Sequence, residues 1–418
     1  MNHRPDVLEF DAAYHLAGHL KVKLLFKSIS LALVLTSCQT VPPTLERKIG
    51  WTFHPAPAEF GPVAHSSCGV IEGTILAFGG INPQKASPLN SDLVLYDDRT
   101  GDWQQISAEN GPVPRNFTSY AVFDQALYIF GGETAYSNAV ADAFSYDIRS
   151  RSWTALPRHR GLIPRKQASL TRVGKSLVLF GGQGLTRITN WGRYDVDSRS
   201  WRTFPAEPGM EARVSHIALS VGESKLFVWG GFIGQERRGD GFLLDVKSGE
   251  SLDIASTSTL APRANARAVH MGGDVFIWGG ATEDGDSNTG SSYDLDRRQW
   301  RSLPPIPDAR YAQLRAAEIA PWGTQGFLLF GGRFGTEDFN DQLWFFDVGR
   351  REWSLLRSNE SPSGRMAHCF VALGPNRFAV FGGMGYAKGS QSLEHKDGIW
   401  IYDGLLHGHQ DPFPRPKD

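Results

Sequence analysis

The chain contains little of several things that would mark out a class of protein. Of its 418 residues only three are cysteine, and 43 lysines and arginines nearly balance 44 aspartates and glutamates. The chain therefore lacks the positive field that draws proteins to phosphate backbones, and nucleic-acid binding is not expected. Long apolar runs are also few. The 46 glycines and 11% aromatic residues favour short strands joined by turns, and predict an all-β protein.

Motifs for metal binding or nucleophilic catalysis are missing as well. The sequence has no CxxC pair, no HExxH, no carboxylate-rich calcium loop and no GxSxG. These are the spacings that bring metal ligands or an activated nucleophile together. We therefore predict no metal and no cofactor, and a binding function is favoured over catalysis.

The N-terminal segment has the pattern of an export signal. Lysines from Lys21 onward precede an apolar run, Ile29 to Leu35, which is too short for an ordinary transmembrane span. The run ends in Leu35-Thr-Ser-Cys38, which resembles the bacterial lipobox. That resemblance implies lipidation of Cys38, residues 1–37 as a signal region and residues 38–50 as a tether. An ordinary signal peptide or a short anchor helix is the alternative.

The first 20 residues fit a signal poorly, because they contain acidic residues where positive charge is expected. This indicates a true start near Leu20 or Val22. Gln39, which follows the cysteine, favours the outer membrane by resemblance to diderm lipoproteins. We expect an exported protein that is anchored to a membrane by its lipid.

A Gly-Gly pair recurs along the chain at intervals of 49 to 52 residues. Each pair closes an apolar run, where glycine lets the backbone turn sharply. A second run follows and ends in an aromatic or apolar residue plus Asp, and a tryptophan then opens the next run in most repeats. The pairs are Gly79-Gly80, Gly131-Gly132, Gly181-Gly182, Gly230-Gly231, Gly279-Gly280, Gly331-Gly332 and Gly382-Gly383.

This pattern resembles the kelch repeat, whose unit is a four-stranded blade. The resemblance implies a seven-bladed kelch-type β-propeller over residues 51–403, followed by a tail, residues 404–418. The last repeat has no tryptophan after Asp403, whereas Trp51 precedes the first repeat. We therefore predict that the N-terminal strand completes the last blade and hides the open edges of the ring.

Most of the repeated residues are interpreted as structural. The tryptophans are expected to pack within and between blades, and the Asp residues to accept N–H bonds in the turns. His65, His216 and His368 each precede their Gly-Gly by 14 residues and are assigned one structural position without metal. Cys68 and Cys369 lie on the opening strands of adjacent blades. A disulfide between them is conceivable outside the cytoplasm, but equivalent strands of adjacent blades are expected to be too far apart for the bond.

The candidate ligand site is the channel mouth, where the segments that open each blade and follow each Gly-Gly are expected to meet. The opening arginines suggest an anion funnel, and structural hydrogen bonds are the favoured alternative for them; they are Arg115, Arg165, Arg213, Arg263, Arg310 and Arg365. Two residues further on stand Phe117, Gln167, Ser215, Asn265, Ala312 and Ala367. The predicted ligand-binding residues are Glu133, Gln183, Asn265, Arg333, Phe117, Phe232, Arg165 and Arg213.

Kelch propellers are mostly interaction modules, so the resemblance implies a cell-envelope protein that binds or scaffolds a protein or a surface glycan. The alternative is a sugar-acting enzyme resembling the periplasmic kelch propeller that mutarotates sialic acid. Glu133 with Arg165, Arg213 or Arg333 would have to supply its acid–base pair and cation. The predicted blade number and lipidation count against that alternative.

Overall fold

The structure is a computed structural model that describes residues 50–84, 89–135, 138–335, 338–387 and 390–404. All of these residues belong to one unit, Thr44–Asp418. The predicted signal region, Cys38 and residues 405–418 lie outside the described residues. In the part that is described, the one helix is a 3-10 turn, Ala309–Gln313, and no helix is long and apolar enough to cross a membrane.

The described residues form seven four-stranded antiparallel sheets, one for each Gly-Gly repeat, which we number as blades 1 to 7. From the innermost strand outward they are Ser67–Ile71, Thr74–Phe78, Leu93–Asp97 and Asp102–Ile106 in blade 1; Ser119–Phe123, Ala126–Phe130, Ala143–Asp147 and Ser152–Ala155 in blade 2; Ser169–Val173, Ser176–Phe180, Asn190–Asp195 and Ser200–Pro205 in blade 3; Ile217–Val221, Lys225–Trp229, Gly241–Asp245 and Ser251–Ile254 in blade 4; Arg267–Met271, Asp274–Trp278, Gly290–Asp294 and Gln299–Leu303 in blade 5; Glu318–Trp322, Gly326–Phe330, Leu343–Asp347 and Glu352–Leu356 in blade 6; and Cys369–Gly374, Arg377–Phe381, Ile399–Asp403 and Gly50–His54 in blade 7.

Short strands form small hairpins and ladders above the blades. They are Arg115–Asn116, Glu133–Thr134, Phe232–Ile233, Glu236–Arg237, Ala281–Thr282, Gly285–Asp286, Leu314–Arg315, Arg333–Phe334, Asp338–Phe339, Met384–Tyr386 and Leu393–His395.

The blades form a closed ring, because each innermost strand contacts the innermost strands of the blades before and after it, and blade 7 contacts blade 1. The second strand of each blade is almost wholly apolar and buried, as in Thr74–Phe78 and Gly326–Phe330. Side chains alternate between the two faces of a strand, so a strand that is buried on both faces packs against both neighbouring blades. The core is therefore a set of apolar layers between blades.

The N-terminal strand closes the ring, as predicted. Gly50–His54 pairs antiparallel with Ile399–Asp403, and Trp51 lies opposite Tyr402. Trp51 also packs against Phe330 and Phe378, at ring-centroid distances of 5.7 and 5.2 Å. The first and last strands of the described residues thus share one sheet, and the N-terminal strand covers the outer edge of Ile399–Asp403.

The structural roles of the repeated tryptophans and aspartates are confirmed. The ring of Trp103 packs on Tyr96 of its own blade at 4.9 Å, and the Trp51–Tyr402 pair of blade 7 repeats this arrangement at 5.3 Å. Asp147 Oδ1 accepts the backbone N–H groups of the following turn, from Arg149 at 3.0 Å and Ser150 at 2.7 Å. These bonds help to lower the pKa of Asp147.

The Gly-Gly pairs connect neighbouring blades. Both glycines have positive φ, with values of 63° and 97° at Gly131 and Gly132. A Cβ on Gly131 would lie 2.4 Å from the carbonyl oxygen of Arg165 in the next blade, so only glycine fits there. The N–H of Gly132 donates to that same carbonyl oxygen at 3.0 Å. The sharp turn is therefore also an inter-blade bond.

The expectation for the cysteines was wrong, because Cys68 and Cys369 form a disulfide with a Cα–Cα distance of 6.0 Å. Both residues lie at the mouth end of innermost strands, where adjacent blades approach one another most closely around the axis. Their Cα separation falls within the range that a disulfide requires. The bond joins blade 1 to blade 7 and crosses the same junction that the N-terminal strand closes.

We predict that reduction of this disulfide destabilises the ring, because the bond spans 301 residues and restricts the unfolded chain. Reductant should lower the free energy of unfolding by about 5 to 6 kcal/mol in the loop-entropy view. The measurement is thermal unfolding with and without reductant. A Cys68→Ser, Cys369→Ser double variant should unfold at the temperature of the reduced wild type, and its unfolding temperature should not change when reductant is added. Equal midpoints for all four samples would contradict the prediction.

Candidate functional site

The ends of the strands divide the ring into two faces. Short turns such as Glu72–Gly73 lie on one of them, the turn face, together with the turns that the Asp residues stabilise. The Gly-Gly pairs and the short hairpins lie on the other, the mouth face. Five-residue strands separate the faces by roughly 17 Å. The segments that the sequence assigned to the mouth therefore do meet on one face.

A ring of seven residues, one from each blade, borders the channel on the mouth face. Each has a left-handed backbone with φ between 52° and 60°, and the residues are His65, Phe117, Gln167, Ser215, Asn265, Ala316 and Ala367. Backbone bonds connect neighbours, as where the Gln167 N–H donates to the Phe117 carbonyl oxygen at 3.1 Å. This conformation is disfavoured for residues other than glycine, most of all for a bulky one such as Phe117.

These seven residues border a cavity of about 590 Å³ at the mouth of the channel. Its floor contains Ser169, His216, Arg267 and Glu318, all from the innermost strands or the residues just before them. The cavity is concave and rigidly framed, with polar groups on blades 3 to 6. It has the general form of a small-molecule or peptide-segment site.

An ion pair across two blades forms part of the floor, and sequence reasoning missed it. Arg267 Nε and Nη2 each donate to one carboxylate oxygen of Glu318, both at 2.6 Å. The carboxylate holds the pKa of Arg267 above its ordinary value. The signal was present in the sequence. The first residue of the innermost strand is serine in blades 1 to 3, whereas it is Arg267 in blade 5 and Glu318 in blade 6.

Two further groups surround this pair. Tyr120 of blade 2 lies within the channel, where partial desolvation by the surrounding strands and the charge of Glu318 from a blade across the ring raise its pKa. Asp286 lies on the mouth hairpin of blade 5, 3.9 Å from Arg315. Burial raises the pKa of Asp286, and Arg315 opposes that shift.

The structure separates the predicted site residues into two groups. Phe117 and Asn265 line the cavity. Glu133, Gln183, Phe232 and Arg333 lie one step outside it, on the short ladders that follow the Gly-Gly pairs. Glu133 forms an ion pair with Lys166 at 2.5 Å, and the guanidinium of Arg333 stacks over Phe339 at 5.3 Å.

Arg165 and Arg213 do not belong to the ligand site, which corrects that assignment. Their exposed fractions are 0% and 1%, and Arg165 Nη1 donates to the carbonyl oxygen of Gly181 at 3.3 Å. The same bond to the first glycine of the blade recurs at Arg115, Arg213, Arg263 and Arg365. The structural alternative is thus confirmed, and burial lowers the pKa of Arg165 to about 10.

Blade 6 departs from the predicted register. Arg310 lies in the 3-10 turn and bonds to Asp308, so it is not the counterpart of the buried arginines. That place is taken by Leu314, and Asn340 Nδ2 donates to the Gly331 carbonyl oxygen instead, at 3.0 Å. The residue at the mouth is consequently Ala316 and not Ala312. The sequence assignment took Arg310, which stands four residues before this position, as the opening arginine.

The three histidines do not share one position, which is a second correction. His65 belongs to the ring of left-handed residues, whereas His216 and His368 follow the ring residues Ser215 and Ala367. The turns Gly222–Ser224 and Pro375–Asn376 are irregular and change the spacing to the Gly-Gly pair. No group of three potential metal ligands occurs among the residues that the structure describes.

His368 gives a testable pH dependence. It is 7% exposed, and burial together with Arg365 and Arg267 lowers its pKa to about 3. Below the unfolded value near 6.5, the unfolded chain binds a proton that the folded chain does not. The free energy of unfolding should therefore fall as the pH drops from about 6.5 towards 3, by up to about 1.4 kcal/mol per pH unit for this residue.

The measurement is urea unfolding of the wild type and His368→Leu between about pH 7 and about pH 4. The variant should lose stability less steeply on acidification. His270→Leu, at an exposed position, is the control and should follow the wild type. Parallel curves for all three proteins would contradict the prediction, because they would show that His368 has the same pKa in the folded and the unfolded chain.

The fold and the closed ring define a kelch-type β-propeller, and comparison with known proteins agrees. The KLHDC2/KLHL20/DRC7 Kelch-repeats domain model matches residues 52–210 and 167–383. The chain therefore belongs to the kelch-repeat family.

Among curated proteins, the chain is similar to Kelch domain-containing protein 3 of Bos taurus, with 31% identity over 133 residues. That alignment covers 29% of this chain and 35% of the relative. The Homo sapiens protein of the same name is 31% identical over 136 residues, again with 29% and 35% coverage. Tip elongation aberrant protein 1 of Schizosaccharomyces pombe is 26% identical over 137 residues, which are 32% of this chain and 12% of that protein. The chain thus spans about a third of the first two relatives.

Proposed function

We propose that this protein is a binding or scaffolding module of the bacterial cell envelope that recognises a partner through its mouth face. Kelch-repeat relatives support an interaction role, although fold alone does not decide function. The observation that carries the proposal is the cavity at the mouth, whose lining differs from blade to blade while the frame around it repeats. A rigid frame with varied side chains at one opening is suited to selective recognition.

The distribution of exposed apolar side chains supports the same face. Six large apolar residues are more than a third exposed in the described chain, and all lie in mouth-side loops or the mouth-side half of strands; they are Phe53, Val113, Phe117, Tyr120, Leu185 and Leu393. Leu185 is 94% exposed, in the loop after the blade 3 Gly-Gly. Burial of such residues by a partner would remove apolar surface from water.

The point at which the chain enters the fold gives the proposed anchor a geometry. Gly50 pairs with Asp403 at the turn-face end of blade 7. A lipid on Cys38 would therefore hold the turn face toward the membrane through a tether of 12 residues, with a reach of at most about 40 Å. The mouth face would then point away from that membrane, toward a partner in the adjoining space.

The disulfide supports export independently of the N-terminal segment. Structural disulfides persist in oxidising compartments and are rare in reducing ones. The Cys68–Cys369 bond lies in the propeller itself and is 6 to 7% exposed at its two residues. An exported location agrees with both observations.

The geometry does not favour the mutarotase alternative. Its acid–base residue was to be Glu133, which is occupied by Lys166 at 2.5 Å. Two of its possible cations, Arg165 and Arg213, are buried in bonds to the blade frame. No comparison supports that activity, and the geometry favours binding.

The first test is affinity capture from an envelope extract of the source organism by immobilised residues 39–418. The wild type should retain a specific component, and a Leu185→Asp, Leu393→Asp variant should retain at least about tenfold less, because a charge on each exposed leucine opposes apolar contact.

The matched control introduces the same charges on the turn face, as Lys175→Asp and Lys247→Asp. Lys175 is 81% exposed and forms only a loose pair with Asp197, so its loss should not affect the fold. Equal capture by the mouth and control variants, with both folded, would refute recognition through the mouth face.

The anchor has a separate test. Cys38→Ser should stop incorporation of labelled fatty acid and move the protein from the membrane fraction to the soluble fraction, because the thioether to the lipid cannot form. Fractionation of cells expressing each form is the measurement. The Cys68→Ser, Cys369→Ser variant controls for loss of cysteine as such, and it should remain in the membrane. An unchanged membrane fraction for Cys38→Ser would contradict lipidation at this residue.

A further inference from the structure

We propose that the mouth cavity is a subsite for one uncharged sugar residue, which stacks on Phe117 and is held by the side-chain amides of Gln167 and Asn265. The inference deepens the proposed function, on which it rests, by specifying the chemistry of the ligand at the centre of the mouth face. Four observations lead to it, and they concern an aromatic platform, neutral polar groups, neutralised charges and size.

The aromatic platform is Phe117. Its side chain is 39% exposed and lines the cavity, although its backbone has a φ of 52°. A bulky residue in this conformation is an outlier, and glycine or asparagine would adopt the same backbone conformation at a lower free-energy cost. Within the described residues its ring stacks on no other aromatic ring. Neither folding nor packing therefore explains a phenylalanine here, whereas the apolar C–H face of a sugar ring would.

Neutral hydrogen-bonding groups continue from Phe117 around the rim. Gln167, Ser215 and Asn265 occupy the same ring position in the next three blades, and all line the cavity. In the described structure the side chains of Gln167 and Asn265 form no hydrogen bond to other protein groups. Each amide offers donors and an acceptor together, which matches hydroxyl groups that both donate and accept. His216 on the floor is also uncharged, because burial lowers its pKa to about 3.

The charges of the cavity are directed at each other. Both carboxylate oxygens of Glu318 accept bonds from Arg267, and Asp286 lies near Arg315. An anionic sugar or a charged peptide end would have to break one of these ion pairs or lie beside a group of the same charge. Either arrangement carries a desolvation cost. An uncharged ligand meets no such cost. This distinguishes the site from a receptor for acidic sugars.

The dimensions agree with one sugar residue and its immediate neighbours. The cavity of about 590 Å³ lies within the usual range of small-ligand sites and is open to the mouth face. It can therefore take the end or a branch of a longer envelope glycan while the rest of the polymer extends into solvent.

The test is titration calorimetry of the full chain with a panel of neutral sugars: hexoses, 6-deoxyhexoses, pentoses and N-acetylhexosamines. At least one should bind, and Phe117→Ala should weaken it by about tenfold while Gln167→Ala and Asn265→Ala weaken it by about fivefold each. Phe117→Gly should lose binding equally yet unfold at an equal or higher temperature, because it relieves the left-handed strain. That readout separates lost recognition from a damaged fold.

The matched control shares chemistry but not location. Gln104→Ala removes an amide on the turn face. It should bind the sugar as the wild type does. Binding by no sugar of the panel, or preferential binding of a sialic or uronic acid, would overturn the inference. Mouth-dependent capture of a protein without any sugar binding would overturn it as well, while leaving the broader proposal intact.

Discussion

The bond network between glycine pairs and buried arginines is the interaction on which the rest of this structure depends. The second glycine of one blade donates its N–H to the carbonyl oxygen of the next blade's arginine, whose guanidinium bonds the first glycine of its own blade. The carbonyl oxygen of Arg165 thus accepts a bond from the Gly132 N–H, and the Arg165 guanidinium donates one to the carbonyl oxygen of Gly181. A charge with 0% exposure is costly unless every donor is satisfied, so such an arginine strongly restricts where adjacent blades can lie.

This rigid frame explains why the mouth can vary. Because the inter-blade bonds involve backbone carbonyls and N–H groups, the side chains of the seven ring residues are not needed for them and can vary around the mouth. Phe117, Gln167 and Asn265 are presented on backbone that the ring holds in place. A site built this way is preorganised, so a ligand does not have to order its receptor.

Closure of the ring combines several interactions at one junction. The strand containing Trp51 joins the last blade, the disulfide joins the innermost strands, and Arg377 bonds both Asp403 of blade 7 and Asp98 of blade 1. In a circular repeat each blade is supported by its neighbours, and at this junction the chain is continuous only through the N-terminal strand, whose pairing with Ile399–Asp403 is non-covalent. The concentration of covalent and ionic bonds there compensates for that.

The sequence by itself determined the all-β class, the period of the repeats and the closing strand, because glycine turns and packed aromatics have strict local requirements that recur with each blade. It also placed Phe117 and Asn265 at the mouth by their fixed offset. Only the tertiary structure decided that Arg165 and Arg213 are buried, that Cys68 meets Cys369 and that Arg267 pairs with Glu318. Those facts depend on distances between residues tens to hundreds of positions apart, and only the curvature of the closed ring sets such distances.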